Sequence, residues 1–195
     1  MKEVFKKYLE EKNLHLTDEQ FDFWMSLLVE RKLKRNEFLL QAGEVCRHFA
    51  FVTKGCLRLY YIDDKSKEHI VQFAPENWWI SDMDSFTNGI PSNYFIEALE
   101  ASEVLLIDQQ SLTKLYNKVP VVAIFFQSLL QNRQSATQKR IISSMSEPAE
   151  EQYLAFLKTY PSLAVRVPQH MIASYLGITP ESLSRIRKQV VQKKH

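Results

Sequence analysis

The feature that most constrains this chain is a pattern of turn-forming and small apolar residues between residues 168 and 191. Pro168 begins one amphipathic segment, and Gly177 follows it where a left-handed helix cap is needed. Thr179 and Pro180 then open a second segment with a hydroxyl N-cap and a proline at its first helical position. The apolar residues at helical spacing are Ile172, Ala173, Leu176, Leu183, Ile186 and Val190. This pattern predicts two short helices joined by a sharp turn, the helix-turn-helix arrangement found in DNA-binding proteins.

The second predicted helix, residues 179–191, carries polar and charged side chains on the face opposite its apolar stripe. Arg185 can donate two hydrogen bonds to guanine, and Glu181 can accept one from the cytosine amino group. We therefore expect these two side chains, with Ser182, to contact bases. Side chains better placed for phosphate contacts, which position a protein without specifying sequence, are Gln169, His170, Thr179, Ser184, Arg187 and Lys188. The alternative is a helical hairpin that binds no nucleic acid.

Charge is distributed unevenly along the chain. Residues 133–195 contain ten Lys and Arg against four Glu, a net charge of +6, whereas residues 1–132 carry −4. A basic C-terminal section suits a polyanionic partner, because each phosphate contact releases condensed counterions. The alternative is a solvated basic tail, and charge alone leaves both interpretations open.

The patterning upstream predicts an α+β fold. The first forty residues have helical spacing, with a capping box formed by Thr17 and Gln20. Between Glu37 and Asp108, short extended segments alternate with turns such as Lys54-Gly55. Several short strands with closely spaced turns indicate an antiparallel β-barrel or jelly roll.

A long helix is predicted from Pro120 to about residue 144, because no helix-breaking residue occurs before Pro148. Its apolar stripe follows alternating steps of four and three residues, the spacing of a coiled coil. The stripe comprises Val122, Phe126, Leu129, Arg133 and Ala136. This spacing favours a parallel seam between two copies of the chain, and the alternative is packing onto the chain's own barrel. The predicted domains are residues 1–118, a dimerisation helix at 119–145, and an all-α, winged-helix-like helix-turn-helix domain at 146–195.

The order of barrel, long helix and C-terminal helix-turn-helix resembles the cyclic-AMP receptor protein/fumarate-nitrate regulator (Crp/Fnr) family of bacterial transcription factors. The most specific matches are residues 51–60 and residues 176–188. The resemblance implies a homodimer that binds double-stranded DNA at a two-fold operator, works with RNA polymerase and responds to an effector in its barrel. Glu181 and Arg185 match the last two positions of the family's Arg-Glu-x-x-x-Arg reader. Pro180 replaces the first arginine, which removes the expected contact to the outer guanine of each half-site.

The sequence departs from the family at the effector site. The family's cassette has a Gly-Glu-Leu turn that holds the ribose and an Arg-Ser or Arg-Thr pair that holds the cyclic phosphate. No Lys or Arg occurs between Lys67 and Lys114, and a buried phosphate without a basic partner is costly. We therefore predict that cyclic AMP and cyclic GMP do not bind. The residues expected to line a pocket for some other small-molecule effector are Trp78, Trp79, Ser81, Asp82, Ser92, Asn93 and Tyr94. Buried barrel aromatics are the alternative interpretation of the two tryptophans.

The composition argues against other classes of protein. Cys46 and Cys56 cannot supply a four-thiolate site, and we expect neither a metal nor a cofactor. A cupin-like metalloenzyme needs clustered ligands, whereas His48 and His69 lie on different predicted strands, so no catalytic residues are expected. No apolar segment is long enough to span a membrane, and the N-terminus lacks an apolar signal core, which predicts a cytoplasmic protein. The remaining alternative is a barrel sensor that acts through a protein partner without binding DNA.

Overall fold

A computed structural model describes residues 1–192 of the chain. Its fold is α+β, as predicted, and it divides into two compact units. The first unit contains residues 1–62 and 71–129, and the second contains residues 63–70 and the chain from residue 130 onward. The last three residues of the predicted domain 146–195 lie outside the described residues.

The first unit begins with two helices, α1 Lys2–Glu11 and α2 Asp18–Leu27. The predicted capping box is confirmed, since Thr17 Oγ1 accepts from the Gln20 N–H and Gln20 Oε1 accepts from the Thr17 N–H. Phe5 of α1 and Trp24 of α2 are fully buried, and their ring centroids lie 5.0 Å apart. Both helices are therefore held by aromatic packing rather than by helix propensity alone.

The strands within residues 1–192 are β1 Val29–Leu33, β2 Phe38–Leu40, β3 His48–Lys54, β4 Leu57–Ile62, β5 Glu68–Ala74, β6 Trp79–Ile80, β7 Phe95–Ala98 and β8 Ser102–Asp108. They form two four-stranded antiparallel sheets, in the orders β1-β8-β3-β6 and β2-β7-β4-β5. A short helix, α3 Met83–Asn88, joins β6 to β7. At the turn between β3 and β4, Gly55 has φ +89°, and any side chain there would collide with Ser102.

The prediction that the first forty residues are helical is wrong beyond Leu27. Val29–Leu33 is a strand that pairs with β8, and Phe38–Leu40 is a strand that pairs with β7. β1 lies at the edge of its sheet and has only Leu33 buried, so its sequence lacks the alternation that marks a half-buried strand. The residues that pair with it in β8 are 69 to 77 positions away along the chain, which a local pattern cannot reveal.

Helix α4 Gln109–Lys118 and the first part of the long α5 Pro120–Ser146 complete this unit, and α5 continues into the second unit from residue 130. The predicted assignment of Val122 and Phe126 to a dimer seam is wrong. Both side chains are fully buried in the chain's own barrel unit, where the Phe126 ring lies 5.1 Å from Trp79 and 5.6 Å from Phe49. The alternative interpretation, packing onto the chain's own barrel, holds for this end of the helix.

The second unit contains four further helices, α6 Ala149–Thr159, α7 Leu163–Arg166, α8 Gln169–Leu176 and α9 Pro180–Gln192. Aromatic rings from α6 and α8 form part of its core, with the Phe156 ring tilted against that of Tyr175 and the two ring centroids 5.6 Å apart. Residues 63–70 join this unit through Ser174 of α8, whose hydroxyl donates to the Glu68 carbonyl and accepts from the Ile70 N–H. None of the helices within residues 1–192 is both long and apolar enough to cross a membrane.

Candidate nucleic-acid interface

The turn between α8 and α9 depends on Gly177. Its φ of +70° lies in the left-handed region that favours glycine. An added Cβ would meet no atom within 4 Å, so conformation rather than space requires glycine here. The Ile178 N–H donates to the Ala173 carbonyl at 3.0 Å, which satisfies an end carbonyl of α8.

Helix α9 begins as the sequence predicts, with Pro180 in its first turn. Thr179 Oγ1 accepts from the Ser182 N–H at 3.2 Å, and its hydroxyl lies 3.2 Å from Ser182 Oγ. This hydrogen bond satisfies a backbone donor that the helix leaves without an internal partner. Thr179 thus caps the helix, while its side chain remains at the exposed end expected to meet phosphates.

The two helices are held together by a small apolar interface. Ala173 of α8 and Leu183 of α9 are fully buried, and Ile186 and Val190 continue the buried stripe of α9. A small residue at the contact allows the two helix axes to approach closely. Because one face of α9 is committed to this core, the opposite face is directed to solvent.

Three of the predicted DNA-contacting residues lie on that exposed face. Glu181, Arg185 and Lys188 recur at spacings of four and three residues, so they lie on one side of the helix. Ser184 is also exposed. Ser182, expected to read a base, is half-buried, with its Oγ next to Thr179 and 3.5 Å from Arg185 Nη2. In this arrangement Ser182 supports Arg185, and Ser184 is the serine with the freer access to a ligand.

A shallow groove of about 440 Å³ runs beside the exposed face of α9. Four of the residues predicted to contact phosphates line it, together with one that was not predicted: Gln169, Ser184, Arg187, Lys188 and Gln192. Gln192 follows Lys188 by one helical turn, a spacing that the sequence pattern contained. His170 is exposed at the start of α8 but does not line this groove.

Electrostatics favour an ionised carboxylate at the start of α9. Glu181 is exposed, and its own backbone N–H and the Thr179 hydroxyl donate to its carboxylate, which lowers its pKa below the ordinary value. The positive end of the helix dipole acts in the same direction. Glu181 is therefore charged at neutral pH and available to accept a hydrogen bond from an amino group.

The predicted effector cassette is closed by its own hydrogen bonds. Asp82 caps α3 by accepting from the Asp84 and Ser85 N–H groups, and it also accepts from the Ser92 hydroxyl at 2.7 Å. The Ser81 hydroxyl donates to the His48 carbonyl at 3.2 Å. Asp82, Ser81 and Ser92 are all buried. Their polar atoms already have partners, which leaves little hydrogen-bonding capacity for a ligand.

The pocket assignment of Trp79 is wrong, and the alternative of a buried barrel aromatic holds. Its ring packs among those of Phe49, Phe51 and Phe126, and only 4% of the residue is exposed. Trp78 and Tyr94 are half-buried, and Asn93 is exposed. These three positions of the prediction therefore keep some exposed surface, unlike Trp79, Ser81, Asp82 and Ser92.

One buried basic residue outside the cassette, Arg58, was not predicted from the sequence. Arg58 of β4 pairs in register with Glu97 of β7, and two of its nitrogens lie 2.7 and 2.9 Å from Glu97 Oε2. Its guanidinium also lies 3.9 Å from the centre of the Tyr60 ring. The sequence held a signal for this pair. Arg58 stands between Leu57 and Leu59 in a predicted strand, and a charged residue within a strand needs a partner across the sheet.

Within residues 1–192, no three His, Cys, Asp or Glu side chains are arranged to hold a metal ion. Cys46 and Cys56 are both buried thiols. The Cys46 Sγ lies 3.3 Å from Ser81 Oγ, so it belongs to the closed hydrogen-bonded network of the cassette.

Comparison with known proteins gives three findings. Residues 30–119 match the family described as cyclic nucleotide-binding domain. Among curated proteins, the chain is similar to the fumarate and nitrate reduction regulatory protein of Vibrio cholerae, at 27% identity over 82% of this chain and 68% of that protein, and to the regulatory protein HlyX of Actinobacillus pleuropneumoniae, at 26% identity. Among solved structures, FixK2 from Bradyrhizobium japonicum shares the fold, with a TM-score of 0.75, 19% identity and 86% coverage of each chain.

Proposed function

We propose that this chain, whose sequence relatives and fold are those of the Crp/Fnr regulators, is a dimeric transcription regulator that reads a two-fold DNA operator. The relatives are regulatory proteins, which supports transcription regulation. In this role the protein acts in the cytoplasm, with RNA polymerase as a partner and without catalysis of its own.

The observation that carries the proposal is the arrangement of α9. Its buried stripe is fixed against α8, while Glu181, Arg185 and Lys188 share the exposed face. Arg185 is suited to guanine O6 and N7, and Glu181 to cytosine N4, when such a helix lies in the major groove. The adjoining groove supplies Arg187 and Gln169 for the phosphate backbone.

Selection of bound sites from a pool of random duplexes tests this proposal. We expect a palindromic consensus whose half-sites are centred one helical turn apart. Pro180 has no side-chain donor, so we expect no sequence preference at the base pair that the missing arginine would contact. The neighbouring base pairs of each half-site should still be specified. Recovery of sequences without a shared motif would contradict sequence-specific binding.

The alternative is a barrel sensor that acts through a protein partner and does not bind DNA. The salt dependence of duplex binding separates the two. For a protein that contacts DNA phosphates, the logarithm of the binding constant falls linearly with the logarithm of the salt concentration, with a steep negative slope. Absence of duplex binding at low salt would favour the protein-partner alternative.

The dimer seam that we propose lies on the face of α5 opposite Val122 and Phe126. A row of exposed residues follows alternating steps of three and four along the whole helix: Val121, Ile124, Ser128, Gln131, Ser135, Gln138, Ile142 and Met145. Exposed fractions of 64% for Ile124 and 63% for Ile142 are unusual for isoleucine in an isolated protein. The row has the seven-residue period of a coiled coil, with apolar residues at both ends of the helix and small or polar residues between them.

Replacing Ile142 by aspartate is expected to convert the dimer to monomer. In a parallel pair the two new carboxylates would face each other in a desolvated seam. Their burial would raise the free energy of the dimer by on the order of several kcal/mol. Sedimentation equilibrium measures the change. Ser144→Asp, which adds the same charge to the opposite side of the helix, is the matched control and should leave the dimer intact. Equal dissociation in both variants would contradict the proposed seam.

Cyclic AMP at millimolar concentration is expected to leave the melting temperature unchanged. The closed cassette offers no basic group, and the buried Arg58 already neutralises Glu97. A ligand present well above its Kd stabilises the folded state, so differential scanning fluorimetry is sensitive to binding. A cyclic-AMP-binding relative treated in parallel gives the positive control, and a clear rise for this chain would overturn the prediction.

A further inference from the structure

A cavity of about 420 Å³ opens between strands β1, β2, β3 and β7, away from the predicted cassette residues. Its floor is apolar, formed by the buried Leu40 and Ile96 and the half-buried Leu39 and Val45. The volume is within the range of small-molecule sites, which combine an apolar lining with a few polar groups.

The polar lining of this cavity is mainly basic. Arg31 is held by Glu37, with 3.1 Å between its Nη2 and the carboxylate. Arg47 is exposed and makes no ion pair with any of residues 1–192 that the structure describes. One carboxylate, that of Glu44, also lines the cavity, and its Oε2 accepts from the Gln41 N–H at 3.0 Å. Arg47 is therefore the cation with hydrogen-bonding capacity to offer a ligand.

His48 completes the polar lining. The residue is half-buried, and burial lowers its pKa, with Asp108 opposing this effect and Arg31 and Arg47 adding to it. A neutral imidazole can donate or accept one hydrogen bond at each nitrogen. The two arginines that line the cavity and the opposing carboxylate of Asp108 therefore all act on this ring.

The wall of the cavity is connected to the cassette. The Gly43 N–H donates to the Ser92 carbonyl and the Ser92 N–H donates to the Glu44 carbonyl, each at 2.8 Å. The Cys46 N–H donates to Ser85 Oγ, also at 2.8 Å. Residues 43–46 therefore lie between the cavity and the closed Asp82–Ser92 network. A ligand that displaced these residues would also displace the cassette residues hydrogen-bonded to them.

We propose that this cavity binds a small organic acid with an apolar body, whose carboxylate pairs with Arg47 and whose body lies on Leu40 and Ile96. Charge and shape together select this class. The apolar floor disfavours inorganic anions, and the basic lining disfavours neutral apolar molecules. That the ligand regulates operator binding rests on the proposed function, whereas binding itself does not require DNA.

Isothermal titration calorimetry of the full-length chain without DNA tests the site. The probes are cinnamate, hexanoate, the neutral cinnamamide and inorganic phosphate. We expect at least one of the two carboxylates to bind and cinnamamide and phosphate not to. Arg47→Gln should weaken carboxylate binding about tenfold or more, because a charge-assisted hydrogen bond is lost. Arg35→Gln, which removes an exposed arginine that does not line the cavity, is the matched control.

A second variant, Leu39→Trp, fills the cavity while keeping both arginines, and it should abolish binding with an unchanged circular dichroism spectrum. Failure of both carboxylates to bind overturns the proposal, as does equal binding of cinnamate and cinnamamide. Binding of phosphate alone overturns the ligand class, and equal affinity in wild type and Arg47→Gln overturns the assigned cation. None of these outcomes depends on operator binding, so failure of the site and failure of the DNA-binding proposal are distinguishable.

Discussion

Replacing Arg185 by alanine is expected to weaken binding to the selected operator by roughly 10- to 100-fold. A bidentate arginine–guanine pair contributes on the order of 1–3 kcal/mol of discrimination against the wrong base. Arg185 is exposed on α9, whereas Leu183 and Ile186, which hold the helix against α8, are buried. The loss should therefore appear in DNA affinity and not in thermal stability. Fluorescence anisotropy with the selected operator and with a scrambled duplex measures both specific and non-specific binding.

Lys158→Ala is the matched control for this prediction. It removes one positive charge from an exposed position of α6 in the same unit, away from the exposed face of α9. We expect it to reduce operator binding only through the general charge effect, and to the same extent on both duplexes. If Arg185→Ala behaved as Lys158→Ala does, Arg185 would contact the backbone and the base-reading assignment would fail.

Replacing Phe126 by alanine is expected to lower the free energy of unfolding by about 3–5 kcal/mol, the usual cost of truncating a buried phenylalanine. The side chain is only 1% exposed, and its ring lies near those of Trp24, Phe49 and Trp79. Truncating the side chain would leave a cavity beside these aromatic rings. Chemical denaturation at one fixed protein concentration measures the effect, since the stability of the proposed dimer would depend on concentration.

The same helix provides the control. Ile124 is 64% exposed but lies in the proposed seam, so it is tested in the Ile142→Asp background that breaks the seam. There Ile124→Ala should change the unfolding free energy by no more than about 0.5 kcal/mol. A large effect of Ile124→Ala with little effect of Phe126→Ala would mean that α5 turns its other face to the barrel. That result would restore the seam formed by Val122 and Phe126 and contradict the one proposed here.

Local sequence patterns accounted for the parts of the fold that close within a few residues. The capping box at Thr17, the left-handed Gly177 and the Thr179 cap were all read from sequence, because each hydrogen bond or φ angle involves neighbours in the chain. The exposed face of α9 followed in the same way, since a helix with a defined buried stripe has a defined opposite face. Only Ser182 differed, because its hydroxyl is drawn into the cap.

Long-range packing decided what the sequence left open. The stripe on α5 has the period of a coiled coil, but the same period serves any apolar contact along a helix, and the aromatic cluster around Phe126 assigned it to the barrel. The strand Val29–Leu33 exists because β8 pairs with it. The basic cavity brings Arg31, Arg47 and Ile96 together from three separate segments.

The helix-turn-helix between residues 168 and 191 was determined by the sequence itself, because caps, turn and stripe are all local to one short segment. The tertiary structure alone decided which face of the long helix remains exposed and which residues line the cavity of the barrel. Those outcomes depend on contacts between residues that are tens of positions apart in the chain. The free energies of burial and strand pairing in such contacts cannot be inferred from a local sequence period.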